Sequence, residues 1–184
     1  MTTLSVPVGP DDRALGPVDA SVTLVEYGRY DCPHCLQSLS IVENLIERFG
    51  AQLRFVYRHY PIEGPHSESE RAAQAAEAAG AQGKFWQMHA HLLQNQESLD
   101  DASLLAHATM LGLDIQEFSA DLDSGAFEER VRRQFESGRD SGVHSTPTFF
   151  VNGIRHDDYW DIDTLSEAIE SALRSTIAVT SKAA

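Results

Sequence analysis

Cys32-Pro33-His34-Cys35 contains both cysteines of this chain, so any sulfur chemistry is confined to four consecutive residues. An apolar run, Val22-Thr23-Leu24-Val25-Glu26-Tyr27, precedes it and reads as a strand. Leu39, Val42, Ile46 and Phe49 follow at helical spacing, and Gly50 is the stop signal. The motif therefore opens a helix, with Cys32 at the N-cap and Pro33 at the first helical position, where a missing N–H costs nothing. Unpaired first-turn N–H groups and the positive end of the helix dipole favour a thiolate at Cys32. An imidazole at His34 favours it further. Cys35, one turn on, can close a short disulfide, which makes Cys32 the exposed nucleophile and Cys35 the more buried resolving thiol.

Two other uses of a cysteine pair are weaker. A structural zinc site needs four ligands, and there is no second pair. The histidines are scattered, and His89 and His91, two apart, do not share a helix face. No metal site is expected. A structural disulfide closing so short a loop would remove little entropy from the unfolded chain.

Composition bounds the rest. A chain of 184 residues, 42% hydrophobic and 23% charged, fits one globular domain or one domain with a large insertion. A net charge of −14 argues against nucleic acid and anionic membrane surfaces as partners. Met1 to Pro7 has no basic region or apolar core of a signal peptide, and no stretch reaches membrane-spanning length. The expectation is a cytoplasmic protein without membrane insertion, or an extracytoplasmic one if a leader has been removed.

Along the chain, residues 1–18 lack periodicity and read as an extended arm. Glu26 is an anomaly in its apolar strand: either an exposed position, or a buried carboxylate behind the cysteines that relays protons to Cys35. Leu53, Phe55 and Tyr57 alternate with Arg54, Val56 and Arg58 in a second strand ended by Pro61, completing a βαβ unit. From about Gly64 to Gly142 the chain reads as helices only. Ser67 and Glu70 form a capping box before an alanine-rich run, and later apolar stripes read as core without chemistry of their own. Thr148 to Val151 is a buried strand, Asn152-Gly153 a hairpin turn, and a last helix starts near Asp163 with Thr164 and Glu167 as its capping box. The tail from Ser175 reads as frayed.

Three separated features, Cys32-Pro33-His34-Cys35 after a strand, Glu26 six positions earlier, and Ser145-Thr146-Pro147-Thr148 opening the late strand, together resemble the DsbA-like branch of the thioredoxin-fold superfamily. Gly83-Lys84-Phe85-Trp86 and Asn152-Gly153 extend the likeness across roughly Leu15 to Leu173. The resemblance implies an α/β, thioredoxin-like fold: a central mixed sheet flanked by helices, with an inserted all-helical subdomain. It implies a core of 15–63 and 143–175, an insertion of 64–142, and arms of 1–14 and 176–184. It also implies a cis Pro147 facing the cysteines, a Thr146 backbone that hydrogen-bonds an extended substrate, and a bacterial source. Asp31 departs from the pattern, standing where those families carry an aromatic; a carboxylate there opposes thiolate formation.

The reading is a thiol–disulfide oxidoreductase with no cofactor beyond the redox-active Cys32–Cys35 disulfide. It would exchange with protein or small-thiol substrates and with a redox partner, in a direction the residues leave open. A glutathione-linked transferase or isomerase of the same superfamily, or a polypeptide-binding module using the groove near Pro147, are the alternatives.

Overall fold

The computed structural model describes residues 2–61 and 67–180, with side chains to Ser175. Its strands are β1 (Arg13–Leu15), β2 (Val22–Gly28), β3 (Leu53–His59), β4 (Thr148–Val151) and β5 (Ile154–Arg155). The helices are α1 (Pro33–Phe49), α2 (Glu68–Ala81), α3 (Phe85–Gln94), α4 (Asp101–Met110), α5 (Ile115–Ser124), α6 (Glu128–Asp140) and α7 (Ile162–Thr180). The fold is thioredoxin-like, with a mixed five-stranded sheet in the order β1-β3-β2-β4-β5. Pairings β1–β3, β2–β4 and β4–β5 are antiparallel, which leaves the parallel character to β3 and β2, the two strands that α1 connects.

The chain gathers into two compact units: residues 1–27, 37–58 and 137–184, and residues 28–36 and 59–136. In the first, β2 and β3 are buried on both faces, as sheet centres are, and Leu24, Val25, Val56 and Phe150 are fully buried. Along α1 the buried positions are Cys35, Ser38, Val42, Leu45 and Phe49, one stripe at helical spacing. The apolar residues alone suggested a face through Leu39 and Ile46; both are only half-buried, because the small polar Ser38 and Cys35 lie inward.

The arm expected over residues 1–18 differs. Leu4 N donates to Gly153 O at 2.9 Å, Arg155 N donates to Thr2 O at 2.8 Å, and Thr3 forms a β-bridge with Ile154. Ten residues later β1 pairs with β3, Ala14 opposite Val56. Between them, Ser5 donates to the Ser137 carbonyl. Arg58, 2% exposed, spends all five N–H donors on Asp12 (twice), Val6 O, Pro7 O and the Tyr27 hydroxyl. Burial alone would lower its pKa; the Asp12 hydrogen bond, with the charges of Tyr27 and Asp12, outweighs that and holds it above the usual arginine value. Pairing of backbone groups is invisible to a hydrophobic pattern, which is why this segment reads as loop. At its end Gly16 has φ +88°, and a Cβ there would run into the Leu53 carbonyl oxygen, so only glycine fits.

The second unit is built on α2. Ala72, Ala75, Ala76, Ala78 and Ala79 are fully buried, and side chains this small let α3, α4 and α5 pack close around it. Ser67 caps α2 by accepting from Glu70 N at 3.2 Å, Asp100 caps α4 and Asp114 caps α5. Burying the Phe118 side chain completely stabilises the unit by about 2–3 kcal/mol. Residues 28–36, motif included, belong to this unit. The boundary drawn at residues 63 and 64 lies outside the described residues.

Two terminal details differ as well. Asp161 caps α7, accepting from Asp163 N and Thr164 N, in place of the Thr164–Glu167 box. The helix then runs to Thr180, past the expected fraying at Ser175. Residues 181–184 of the tail lie outside the described residues.

Candidate active site

Cys32 and Cys35 lie 3.6 Å apart in the reduced form, on either side of the start of α1. Cys32 occupies the N-cap position: its carbonyl accepts from Cys35 N at 2.9 Å and Leu36 N at 3.2 Å. Pro33 is the first helical residue, and both it and His34 are exposed. Cys35 is 0% exposed and Cys32 only 5%. The expected order of accessibility holds, but Cys32 is a buried residue with a narrow opening, not an exposed one.

The strip leading into the motif is held from the helical side of the same unit. Asp31 faces Arg29 at 3.2 Å and accepts from Ser69 Oγ at 2.8 Å. Its charge is thus partly neutralised, which weakens the objection that a carboxylate beside Cys32 opposes the thiolate. The Gln96 amide donates to the Cys32 carbonyl at 2.8 Å. Tyr30, fully buried, bonds His89 Nδ1 through its hydroxyl at 3.2 Å.

His89 belongs to a wider buried network. Burial first, and then the nearby His59, push its pKa down to about 3, so it is neutral at physiological pH. The His59 ring lies 5.8 Å from that of Tyr30, and its Nε2 is 3.3 Å from Glu77 Oε1. Arg130 approaches the other Glu77 oxygen at 2.9 Å. Glu77 and His59, 0% and 1% exposed, give the helical block a polar centre that its apolar stripes did not announce. The legible signal was position: His89 sits on the stripe of Phe85, Met88 and Leu92, and Glu77 sits inside the alanine run. Nothing marked Gln96, a turn residue without periodicity.

Glu26, Thr146 and Pro147 belong to the first unit, and Cys32 to Cys35 to the second. Glu26 is 3% exposed and accepts from Ser38 Oγ at 2.7 Å. It is therefore a buried carboxylate and not an exposed strand position, tied to α1 one turn beyond Cys35. The β2–β4 register sets Glu26 opposite Phe149 and Tyr27 opposite Thr148, so Pro147 stands just past the end of the pairing. The Thr146–Pro147 peptide is cis, and Thr146 is 8% exposed. Among the described residues no group of three or more His, Cys, Asp or Glu is arranged to hold a metal.

A family model described as thioredoxin matches residues 9–171. The chain belongs to the thioredoxin family. Solved structures share its architecture. A thioredoxin-like oxidoreductase from Silicibacter pomeroyi is 28% identical, with a TM-score of 0.81 over 90% of this chain and 94% of the other. Two more distant structures share the fold. For Bacillus subtilis BdbD (24% identical) the TM-score is 0.79 over 94% of this chain and 98% of that one. For Wolbachia pipientis alpha-DsbA1 (18%) it is 0.83 over 96% and 98%.

The curated relatives are of another kind. A Salinispora arenicola protein named Na(+)/H(+) antiporter NhaA 1 is 44% identical over 94% of this thioredoxin-family chain, and one from Herminiimonas arsenicoxydans, named Na(+)/H(+) antiporter NhaA, is 41% identical over 94%. The chain spans only 26% and 28% of their lengths. These relatives overturn the expectation of a cytoplasmic protein. That expectation came from a missing leader at Met1, and such a sign is void where a related sequence occurs as a segment of longer proteins named as antiporters. Among the described residues no helix is long and apolar enough to cross a membrane.

Proposed function

We propose that the protein is a thiol–disulfide oxidoreductase whose redox group is the Cys32–Cys35 couple. The observation that carries this reading is the pair itself: two thiols 3.6 Å apart at the start of a helix, one sealed and one with a narrow opening. In the reducing direction the Cys32 thiolate attacks a substrate disulfide. A Cys32–substrate disulfide forms, the old S–S bond breaks, and the leaving sulfur takes a proton. Cys35 then gives up its proton and attacks Cys32 Sγ, which closes the Cys32–Cys35 disulfide and releases the second substrate thiol. Two electrons and two protons pass to the substrate; the oxidising direction is the same sequence reversed.

The remaining residues take supporting parts in this reading. Helix-terminal N–H groups and His34 stabilise the thiolate form of Cys32. Buried Glu26, held by Ser38, serves as a proton acceptor and donor in the exchange. The Thr146 backbone beside Pro147 receives an extended substrate chain by β-type pairing. Protein or small-molecule thiols and disulfides are the substrates, and a redox partner, either a thiol reductant or an oxidising protein, resets the couple.

The test is direct. Cys32→Ser abolishes exchange, and Cys35→Ser accumulates a mixed disulfide detectable by mass spectrometry. A Cys35→Ser protein that turns over dithiol substrates normally overturns the assignment. Equilibration in glutathione buffers then sets the direction: a couple more oxidising than the glutathione pool makes the protein a dithiol oxidant, and a more reducing one makes it a reductase.

A further inference from the structure

We propose that Gln96 is a positioning residue of the dithiol site, acting on Cys32 through its backbone carbonyl; this rests on the oxidoreductase reading above. The Cys32 carbonyl carries three donors: Cys35 N and Leu36 N from the first turn of α1, and the Gln96 side-chain amide from the turn between α3 and α4. The first two belong to any helix start. The third comes from 64 positions away and fixes the plane of the peptide that follows Cys32. Held there, the Cys32 backbone sets how its sulfur faces the first-turn N–H groups beyond Pro33, and hence how strongly they favour its thiolate.

The turn bearing Gln96 is itself held in several places. Asn95 N donates to Leu92 O at 3.2 Å, Ser98 N donates to Asn95 O at 3.0 Å, and Asn95 Nδ2 donates to His91 O at 2.7 Å. His107 Nε2 lies 2.9 Å from the Ser98 carbonyl, which can only accept, so His107 carries its proton there. In the neutral pair, His107 Nδ1 is then an acceptor for His91 Nε2–H at 3.1 Å. A turn anchored in this way can hold an amide in one place at little further entropic cost. The arrangement also gives the helical unit a role at the sulfur: it sets the backbone under the nucleophile as well as walling the site.

Substitution separates positioning from mere packing. In a Cys35→Ser background, so that a single thiol is read, the Cys32 pKa is measured from the pH dependence of iodoacetamide alkylation for Gln96, Gln96→Ala and Gln96→Glu. Urea unfolding is run in parallel. Gln96→Glu keeps the side-chain size, cannot donate to the carbonyl, and adds a negative charge. It is expected to raise the Cys32 pKa by about half a unit or more, which lowers reactivity below that pKa by about threefold. Gln96→Ala moves the pKa the same way by less. Coincident alkylation profiles for all three overturn the proposal, as does a loss of stability with no change in Cys32 pKa. Alkylation requires no disulfide exchange, so failure of the oxidoreductase reading shows separately as absence of a reversible Cys32–Cys35 couple.

Discussion

His89 makes the stability of this protein depend on pH in a calculable way. Folded, the ring is enclosed with Tyr30 and His59 and stays neutral down to about pH 3. Unfolded, it takes up a proton below its ordinary value of 6.5. Between these limits the unfolded chain binds one more proton, so stability is fully present above about pH 6.5 and falls as the pH drops. For one such group the loss between pH 7.5 and 5.0 is about 2 kcal/mol, a sizeable part of a typical domain's stability. The assay is urea unfolding at half-unit steps across that range, for the protein and for His89→Gln. Other titrating groups contribute equally to both, so the difference between the two curves isolates His89. The gap should change by about 2 kcal/mol toward acid, with the native protein losing more. Parallel curves would refute the claim that His89 is buried and neutral. If the Gln variant fails to fold, His89→Phe gives the same comparison.

Other expectations follow from single contacts. Glu77→Ala leaves Arg130 and His59 facing a lost carboxylate in the interior; urea midpoints should report a loss of about 2–4 kcal/mol, at the low side of a buried pair because Arg130 is partly exposed. Ser38→Ala removes the hydroxyl that donates to buried Glu26 and should cost about 1.5–3 kcal/mol at neutral pH by the same measurement. Gly16→Ala and Gly153→Ala both force alanine to a positive φ, but only the first meets backbone. Thermal melts should show Gly153→Ala losing about 1–2 kcal/mol and Gly16→Ala clearly more.

Where hydrophobic spacing and local stop signals carry the information, the sequence was a good guide. The bounds of α1 follow from Pro33 and Gly50, β3 from its alternation, and the hairpin between β4 and β5 from Asn152-Gly153. Glu26 stood out because a charge in an apolar strand needs a reason, and burial against Ser38 is one. Features built from backbone pairing or from long-range polar contacts were not legible. The β1 strand has three residues and no alternation, and it is held by main-chain bonds to β3 that no side chain announces. Gln96 contacts Cys32 across 64 positions, and Glu77, His59 and Arg130 meet only once the helices have packed. The Cys32 exposure was misjudged for a related reason: local helix geometry gives the direction of a side chain and not what covers it.

The path of residues 2–15 has a practical consequence. These residues bond to β5 at one margin of the sheet, and β1 is itself the outermost strand at the other. Removing them would bare the outer N–H and C=O groups of β3 as well as the margin of β5, and would strand the Arg58 guanidinium in the interior. Bared margins of this kind recruit strands from other molecules. A chain trimmed to begin at Val18 should therefore aggregate on refolding while keeping both cysteines, and a proteolytic cut within the segment would silence the protein by precipitation before it touched the chemistry.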